Sequence, residues 1–114
     1  MKQLLQLALL LAACTPFALA QEVTAGIFGV VQDASSAVVP GATVRARNIG
    51  TGFTRETTTD ESGAYSFVLI PIGMYEVTAE AQGFKKSVVA DVQLRVNDNR
   101  RIVFSMEVGQ LADQ

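Results

Sequence analysis

The side chains that most often carry chemistry are scarce in this 114-residue chain. It contains no histidine, and its one cysteine, Cys14, lies in a segment that we expect to be removed or modified during export. Ser-His and Cys-His nucleophile pairs and the common zinc sites depend on these two residue types. The sequence therefore predicts no catalytic residue, no bound metal and no cofactor.

Three carboxylates, Glu56, Asp60 and Glu61, are close enough in sequence to suggest paired-carboxylate chemistry. A glycosidase needs two carboxyl groups about 5 to 9 Å apart in a cleft. These three fall at the end of an expected hairpin, where acidic residues normally serve turn geometry and solubility. The segment 60–63 also lacks the alternating oxygen ligands and the distal glutamate of a loop-type calcium site. We expect Asp60 to hydrogen-bond the turn backbone and Gly63 to adopt a positive φ.

Exposed aromatic rings are a second kind of site, because sandwich domains often bind sugars by stacking them on such rings. The chain has no tryptophan, and most of its aromatic residues fall at positions that face a core. Phe53, at an expected hairpin tip, is the one ring that could be displayed for sugar stacking. Its polar neighbours would then supply hydrogen bonds, and they are Arg45, Arg47, Glu56 and Thr58. The alternative is that Phe53 folds back over an edge of the core.

The first 20 residues have the composition of a signal peptide. Lys2 gives a positive start, residues 4–13 form an almost unbroken apolar run, and Ala18-Leu19-Ala20 before Gln21 is an A-x-A cleavage pattern. A membrane-spanning helix needs about 20 apolar residues, and this run is about half as long. We expect cleavage between Ala20 and Gln21, with no transmembrane segment left in the mature chain.

A different processing event is possible within the same segment. Residues 11–14, Leu-Ala-Ala-Cys, resemble the lipobox of bacterial lipoproteins, in which cleavage leaves a lipidated Cys14 as the first residue. Either event predicts an exported protein, located in the periplasm, on the outer membrane or outside the cell. Basic residues such as Lys85, Lys86, Arg100 and Arg101 are too few for a nucleic-acid-binding stripe, so we expect no nucleic-acid partner.

Beyond the leader, apolar residues recur at every second position, which is the period of half-buried strands. The alternation is clearest over 75–81, 88–96 and 102–108. Clusters of Gly, Pro, Asn and Asp interrupt it about every ten residues and predict turns. The strands are expected at 24–32, 42–49, 53–59, 64–69, 74–82, 85–96 and 100–108. This pattern predicts an all-β, seven-stranded antiparallel β-sandwich over residues 21–108, followed by a polar tail or truncated link at 109–114.

The same pattern predicts which residues fill the core and how two strands are joined. The large core side chains are expected to be Phe28, Phe67, Tyr75, Phe84 and Phe104. Strands 64–69 and 74–82 are expected to be hairpin neighbours, with Pro71-Ile72-Gly73 as the turn that sets their register. Gly73 is expected to adopt a positive φ.

Residues 29–86 resemble the carboxypeptidase regulatory-like domain, a transthyretin-like sandwich of the carbohydrate-binding-like fold class. Several turn motifs carry the resemblance: Gly29 and Asp33, the run Pro40-Gly41-Ala42-Thr43-Val44, Thr59-Asp60 with Gly63-Ala64-Tyr65, Pro71-Ile72-Gly73 before Tyr75, and Gly83-Phe84. The resemblance implies the sandwich fold and, despite the family name, no peptidase activity.

The chain most resembles the version of this domain that follows a signal peptide in TonB-dependent receptor-like outer-membrane proteins. That resemblance implies a non-catalytic accessory or interaction domain of the bacterial cell envelope, complete or as a fragment of such a receptor. Its partner would be an envelope protein, including an outer-membrane receptor, or a polysaccharide. The alternative function is that of a carbohydrate-binding module.

Overall fold

The computed structural model describes residues 23–109. The predicted signal peptide, with Cys14 and the Ala20–Gln21 cleavage site, lies outside the described residues, as do residues 110–114 of the tail. No helix between residues 23 and 109 is long and apolar enough to cross a membrane.

The described residues form strands joined by turns and loops, so the predicted all-β sandwich is confirmed. The strands are β1 (Thr24–Asp33), β2 (Thr43–Asn48), β3 (Thr54–Thr58), β4 (Ala64–Pro71), β5 (Gly73–Glu80), β6 (Ser87–Leu94), β7 (Asn99–Arg101) and β8 (Phe104–Met106).

The strands form two sheets. In the first, β1 lies between β4 on one side and β7 and β8 on the other, and in the second the order is β3-β2-β5-β6. β7 and β8 run parallel to β1, whereas all other pairs are antiparallel. The sequence had suggested a wholly antiparallel sandwich. The structure differs at β7 and β8, because the last part of the chain runs along β1 in the same direction.

The described residues form eight strands and not seven, because the predicted strand 100–108 is interrupted at Ile102 and Val103. The Ile102 amide donates to the Phe28 carbonyl at 2.8 Å, and the Ile102 carbonyl accepts from the Tyr65 hydroxyl at 2.6 Å. The same carbonyl occupies the space that a Cβ on Gly29 would need. Gly29 thus allows the backbone of the β7–β8 segment to cross β1 at close range.

The predicted hairpin between 64–69 and 74–82 is wrong. β4 belongs to the first sheet and β5 to the second, so the chain crosses between layers after Pro71, which pairs with Thr24 at the end of β4. Gly73, the first residue of β5, has a φ of 139°, which confirms the expected positive φ. A Cβ added at Gly73 would lie 2.7 Å from Nδ2 of Asn48.

The core lies between the two sheets. Phe67, Tyr75 and Phe104 are buried there as predicted, and the Tyr65 ring packs against Phe67 and Phe104 at centroid distances of 6.0 and 6.1 Å. Phe84 is only partly buried against the core. The prediction for Phe28 is wrong: it is 37% exposed.

Two bulges shift the alternation that the sequence suggested. In β6, Val89 and Val92 pair with Val77 and Tyr75 of β5, so β6 contains an extra residue at this point. Asp91, with a φ of 59°, lies in this bulge. The inward face of β6 is consequently formed first by Val89 and then by Val92 and Leu94, while Val88 is exposed. The β1–β4 ladder has a similar irregularity beside Leu69, whose φ is 55°.

The sandwich has two distinct ends. We call the N-terminal end the one formed by the start of β1 and by the segments 49–53, 71–73 and 95–98. The C-terminal end is formed by the loop 34–42, the turn 59–63, the loop 81–86 and the residues after β8. The chain thus enters the fold at one end and leaves it at the other.

Candidate functional site

Phe53 is not grouped with the polar side chains expected to complete a sugar site. Its ring is partly buried and packs against the core, and Cζ of Arg55 lies 5.3 Å from the ring centroid. In the ladders, Arg45 pairs with Glu56, and Arg47 pairs with Thr54. Because side chains alternate along a strand, these residues lie on the outer face of the sheet, opposite the side that Phe53 packs against.

Glu56 forms an ion pair with Arg45 and does not pair with Asp60 or Glu61, the other two carboxylates considered above. Nε of Arg45 donates to Oε2 of Glu56 at 2.7 Å, and the two side chains also form a salt bridge. Both side chains are about half exposed, and an ion pair of this kind contributes little to stability. The arrangement therefore gives no support to paired-carboxylate chemistry at Glu56.

Asp60 organises the turn between β3 and β4, as the sequence predicts. Its Oδ1 accepts hydrogen bonds from the Ser62 amide at 2.9 Å, the Ser62 hydroxyl at 2.7 Å and the Ala64 amide at 3.0 Å. Gly63 has the expected positive φ, 75°. The Ser62 hydroxyl and the Ala64 amide lower the pKa of Asp60, because their hydrogen bonds favour the ionised carboxylate.

A second turn repeats this geometry around Asp33. Oδ1 of Asp33 accepts from the Ser35 amide at 2.9 Å, the Ser35 hydroxyl at 2.7 Å and the Ala37 amide at 3.0 Å. The pKa of Asp33 is lowered by the same kinds of hydrogen bond, from Ser35 and then Ala37. The shared pattern D-x-S-x-A, in DASSA and DESGA, is the signal that could have identified this turn.

The two aspartate turns belong to neighbouring loops, which a buried threonine joins. The Val31 amide donates to the Gly63 carbonyl at 2.8 Å. Oγ1 of Thr59 accepts from the Ala42 amide at 2.8 Å and donates to the Val39 carbonyl at 2.7 Å. These bonds fix the loop 34–42 against the turn 59–63 and hence shape the C-terminal end.

A groove opens at this end, between the loops 34–42 and 81–86. It consists of two adjoining hollows of about 450 and 430 Å³. Both are lined by Gly41, Ala81, Gln82 and Phe84. We call this feature the Phe84 groove.

The Phe84 groove combines apolar and polar lining groups. Phe84, Ala81 and Val39 supply apolar surface, while charged side chains lie among its polar lining residues. Of these, Lys86 and Glu80 form an exposed ion pair, with Nζ and Oε1 3.6 Å apart. A mainly polar surface beside one aromatic ring suits a small polar ligand or the side chains of a peptide.

Three buried side chains with polar groups, Asn48, Tyr65 and Tyr75, serve the fold. Asn48 donates from Nδ2 to the Ile72 carbonyl at 3.1 Å and accepts at Oδ1 from the Gly50 amide at 3.0 Å. The Tyr75 hydroxyl donates to the Pro71 carbonyl at 2.6 Å. Burial raises the pKa of Tyr65 and of Tyr75 above the ordinary tyrosine value. All three therefore have structural partners, which leaves the Phe84 groove as the candidate functional site.

Within residues 23–109, the buried polar atoms are satisfied and metal-binding clusters are absent. No buried side-chain nitrogen or oxygen there lacks a hydrogen-bond partner. No group of three or more Cys, Asp or Glu side chains in this range is placed to hold a metal ion.

Comparison with known proteins identifies one family. The model of the carboxypeptidase regulatory-like domain matches residues 26–107, which is most of the chain. No curated protein matches the chain.

Several solved structures share the fold. The TIE protein of Bacillus anthracis is 19% identical over 75% of this chain, with a TM-score of 0.63. A Bacteroides uniformis protein proposed to bind carbohydrate is 20% identical over 73% of this chain, with a TM-score of 0.59. Catechol 1,2-dioxygenase of Acinetobacter radioresistens is 11% identical over 82%, with a TM-score of 0.65.

The chain spans 17%, 41% and 55% of the lengths of these three proteins, respectively. At such low identities the similarity shows a common fold and nothing more, so neither sugar binding nor dioxygenase chemistry is transferred to this chain by it.

Proposed function

The chain belongs to the carboxypeptidase regulatory-like domain family, and from this premise we propose that it is a non-catalytic, exported interaction domain of the bacterial cell envelope. It resembles the domain that precedes the receptor segments in TonB-dependent receptor-like outer-membrane proteins. In this proposal the chain contributes a rigid binding surface, and any transport activity belongs to the protein with which it associates.

The observation that carries the proposal is the placement of the two ends of the described chain. The N- and C-termini of a domain often lie close together. Here β1 starts at the N-terminal end, while Gly109 lies at the C-terminal end, where its amide donates to the Gly83 carbonyl at 2.8 Å. A domain with this path can connect a leader at one end to a following segment at the other. The Phe84 groove lies beside Gly109, at the end where the following segment would begin.

A site-specific photo-crosslinker tests the proposed interaction. It is placed at Gln82, in the Phe84 groove, and, as the control, at Ser66, which is exposed on β4. We expect a discrete adduct with an envelope component from Gln82 and none from Ser66. Adducts with cytoplasmic proteins only, or equal adducts from both positions, would contradict the proposal.

Carbohydrate binding is the second candidate function, and the Phe84 groove gives it a specific site. Phe84 lies there beside polar groups, including Glu80 and Gln82, whereas the ring of Phe53 lies apart from its expected partners. On an array of bacterial, plant and host polysaccharides, a sugar-binding module would give a signal that Phe84→Ala abolishes and Phe53→Ala preserves. Silence across the array would leave only the protein-interaction function.

A further inference from the structure

The N-terminal end of the sandwich carries a concentration of exposed apolar side chains. Leu69 is 71% exposed and Val68 is 65% exposed, both at the β4 irregularity. The other members come from separate segments at this end, and they are Val23, Ile49, Ile72, Met74 and Val96. We call these seven residues the apolar tip.

Backbone contacts hold the segments of the apolar tip together. The Ile49 amide donates to the Met74 carbonyl at 2.8 Å, which joins the turn after β2 to the start of β5. The Asn97 amide donates to the Thr24 carbonyl at 2.9 Å, and Thr24 pairs with Pro71. A hollow of about 260 Å³ lies between Val68 and Leu69 on one side and 97–99 on the other. The apolar tip is thus one connected region rather than scattered residues.

The arginines of the described chain are also concentrated at this end. Five of the six lie in the half of the sandwich next to the apolar tip, together with three acidic residues, Glu76, Asp91 and Asp98. These arginines are Arg47, Arg55, Arg95, Arg100 and Arg101. None of them forms a salt bridge within residues 23–109, although Arg55 and Arg100 donate to the Val68 and Gln93 carbonyls.

The C-terminal end has the opposite charge. It carries five acidic residues, Asp33, Asp60, Glu61, Glu80 and Glu107, against two lysines. Both lysines are within 4 Å of a carboxylate, Lys85 of Glu107 and Lys86 of Glu80. The sandwich is therefore electrically polarised along its length, with its positive end also its apolar end.

The backbone at Leu69 keeps its side chain in this exposed position at a conformational cost. Its φ of 55° is in the left-handed region, which non-glycine residues other than Asn and Asp rarely adopt. A conformation of this kind is unfavourable for a branched apolar residue and is often found where function requires it. A polar residue that tolerates the left-handed region would fold at least as well, so folding alone does not account for an exposed leucine here.

We propose that the N-terminal end docks onto an anionic phospholipid surface, with the apolar tip inserted among the acyl chains and the surrounding arginines bound to lipid phosphates. Apolar insertion combined with electrostatic attraction is the general basis of peripheral membrane binding. Guanidinium groups suit phosphate oxygens because they can donate two parallel hydrogen bonds. The acidic C-terminal end, with the Phe84 groove, then faces away from the membrane.

The inference rests on the proposed envelope location for its biological setting, and the path of the chain agrees with it. The expected cleavage site at Ala20–Gln21 and the alternative lipidation site at Cys14 both precede Thr24, where β1 begins at the N-terminal end. After either processing event, the mature chain would enter the fold at Thr24, at the proposed membrane-facing end.

Vesicle co-sedimentation tests the docking surface. The protein, purified as the cells produce it, is mixed with vesicles of phosphatidylcholine alone or of phosphatidylcholine with phosphatidylglycerol. We expect strong binding to the anionic vesicles, weakened about tenfold by Leu69→Asn and by Ile49→Ser because each removes one inserted apolar side chain. Arg95→Gln and Arg101→Gln should weaken binding to anionic vesicles only, and high salt should do the same.

Val108→Ser is the matched control, because Val108 is also 71% exposed but lies at the C-terminal end. It should bind as the parent does. Circular dichroism and the Tm of each variant show that the fold is retained. The proposal is overturned if the parent ignores anionic vesicles, or if Leu69→Asn and Val108→Ser lose equal affinity. It is also overturned if the apolar tip instead pairs two copies, so that Leu69→Asn abolishes a dimer in analytical ultracentrifugation without changing vesicle binding.

The result also separates this proposal from the proposed function. An envelope protein that does not bind vesicles would refute lipid docking alone. A cytoplasmic protein that binds vesicles would refute the envelope location alone.

Discussion

Asp33 and Asp60 show how single residues stabilise the C-terminal end. Each carboxylate accepts two backbone amides and one serine hydroxyl through a single oxygen, and each has a pKa below its ordinary value of 3.8. A group whose pKa is lower in the folded state stabilises the fold above its unfolded pKa. That contribution is lost as the pH falls through the folded pKa.

We therefore predict that the Tm decreases as the pH is lowered from about 4 towards 2, and that this decrease is smaller in the Asp33→Asn, Asp60→Asn double variant. Asparagine keeps an acceptor oxygen but does not titrate, so the variant should differ from the parent most at neutral pH. Thermal unfolding followed by circular dichroism across this range measures the effect. Parallel Tm profiles for the two proteins would show that these carboxylates do not cause the acid sensitivity.

At Gly73, as at Gly63, both conformation and space exclude a side chain. The φ of Gly73 is 139°, and an added Cβ would approach Nδ2 of Asn48 at 2.7 Å, whereas Gly52 has a φ of 79° and open space around it. We predict that Gly73→Ala lowers the free energy of unfolding by about 2 to 4 kcal/mol. Gly52→Ala should cost about 1 to 2 kcal/mol, for conformation alone. Urea denaturation compares the two; equal losses would mean that the contact with Asn48 does not matter.

The two aspartate turns also show what could be predicted at the residue scale. Asp60 was predictable because Gly63 follows it and marks a left-handed position. Asp33 forms the same turn, but Ser36, with a φ of 70°, occupies the corresponding position, so the glycine signal is missing. The partner of the Asn48 Nδ2 group was equally hard to identify, because the Ile72 carbonyl lies in the crossing between β4 and β5, which the sequence does not reveal.

At the scale of elements, the strands were predictable but some of their partners were not. Alternation shows which face of a strand is buried, and β4 and β5 would show the same alternation in one sheet or in two. The wrong hairpin at Pro71-Ile72-Gly73 follows from this ambiguity. The bulge in β6 was missed for a different reason, because Asp91 adopts a positive φ without a glycine to indicate it.

Thr59 tests how the loops of the C-terminal end are fixed to each other. Its buried hydroxyl bonds both the Ala42 amide and the Val39 carbonyl, and valine has nearly the same shape without the hydroxyl. We predict that Thr59→Val lowers the free energy of unfolding by about 2 to 4 kcal/mol, because two buried backbone groups lose their partner.

Thr58→Val is the control for that substitution, because Thr58 is exposed on β3. It should change stability by less than about 0.5 kcal/mol. If the two variants unfold at the same urea concentration, the Thr59 hydroxyl does not hold these loops together.

At the scale of the whole molecule, the family and fold class were predictable because several turn motifs occur together at consistent spacing. The Phe84 groove could not be predicted from the sequence, since it depends on how the loops 34–42 and 81–86 meet after the sheets have formed. Phe84 itself was expected in the core and is partly buried at the groove instead. The separation of charge between the two ends likewise depends on the strand directions, which sequence alone did not give.

These features define an oriented domain, in which an apolar and arginine-rich end lies next to the start of β1 and a groove lies at the opposite, acidic end. The proposed function requires that this domain be delivered to the cell envelope. In the cell, both the interaction at the Phe84 groove and the docking of the apolar tip therefore require that the protein be exported to the envelope.

Fractionation of bacterial cells that produce the full 114-residue chain, with sequencing of the N-terminus of the recovered protein, tests this most directly. We predict a protein in the envelope or periplasmic fraction that begins at Gln21, or at a lipid-modified Cys14 if the lipobox is used. A protein that stays in the cytoplasm with residues 1–20 still attached would contradict it.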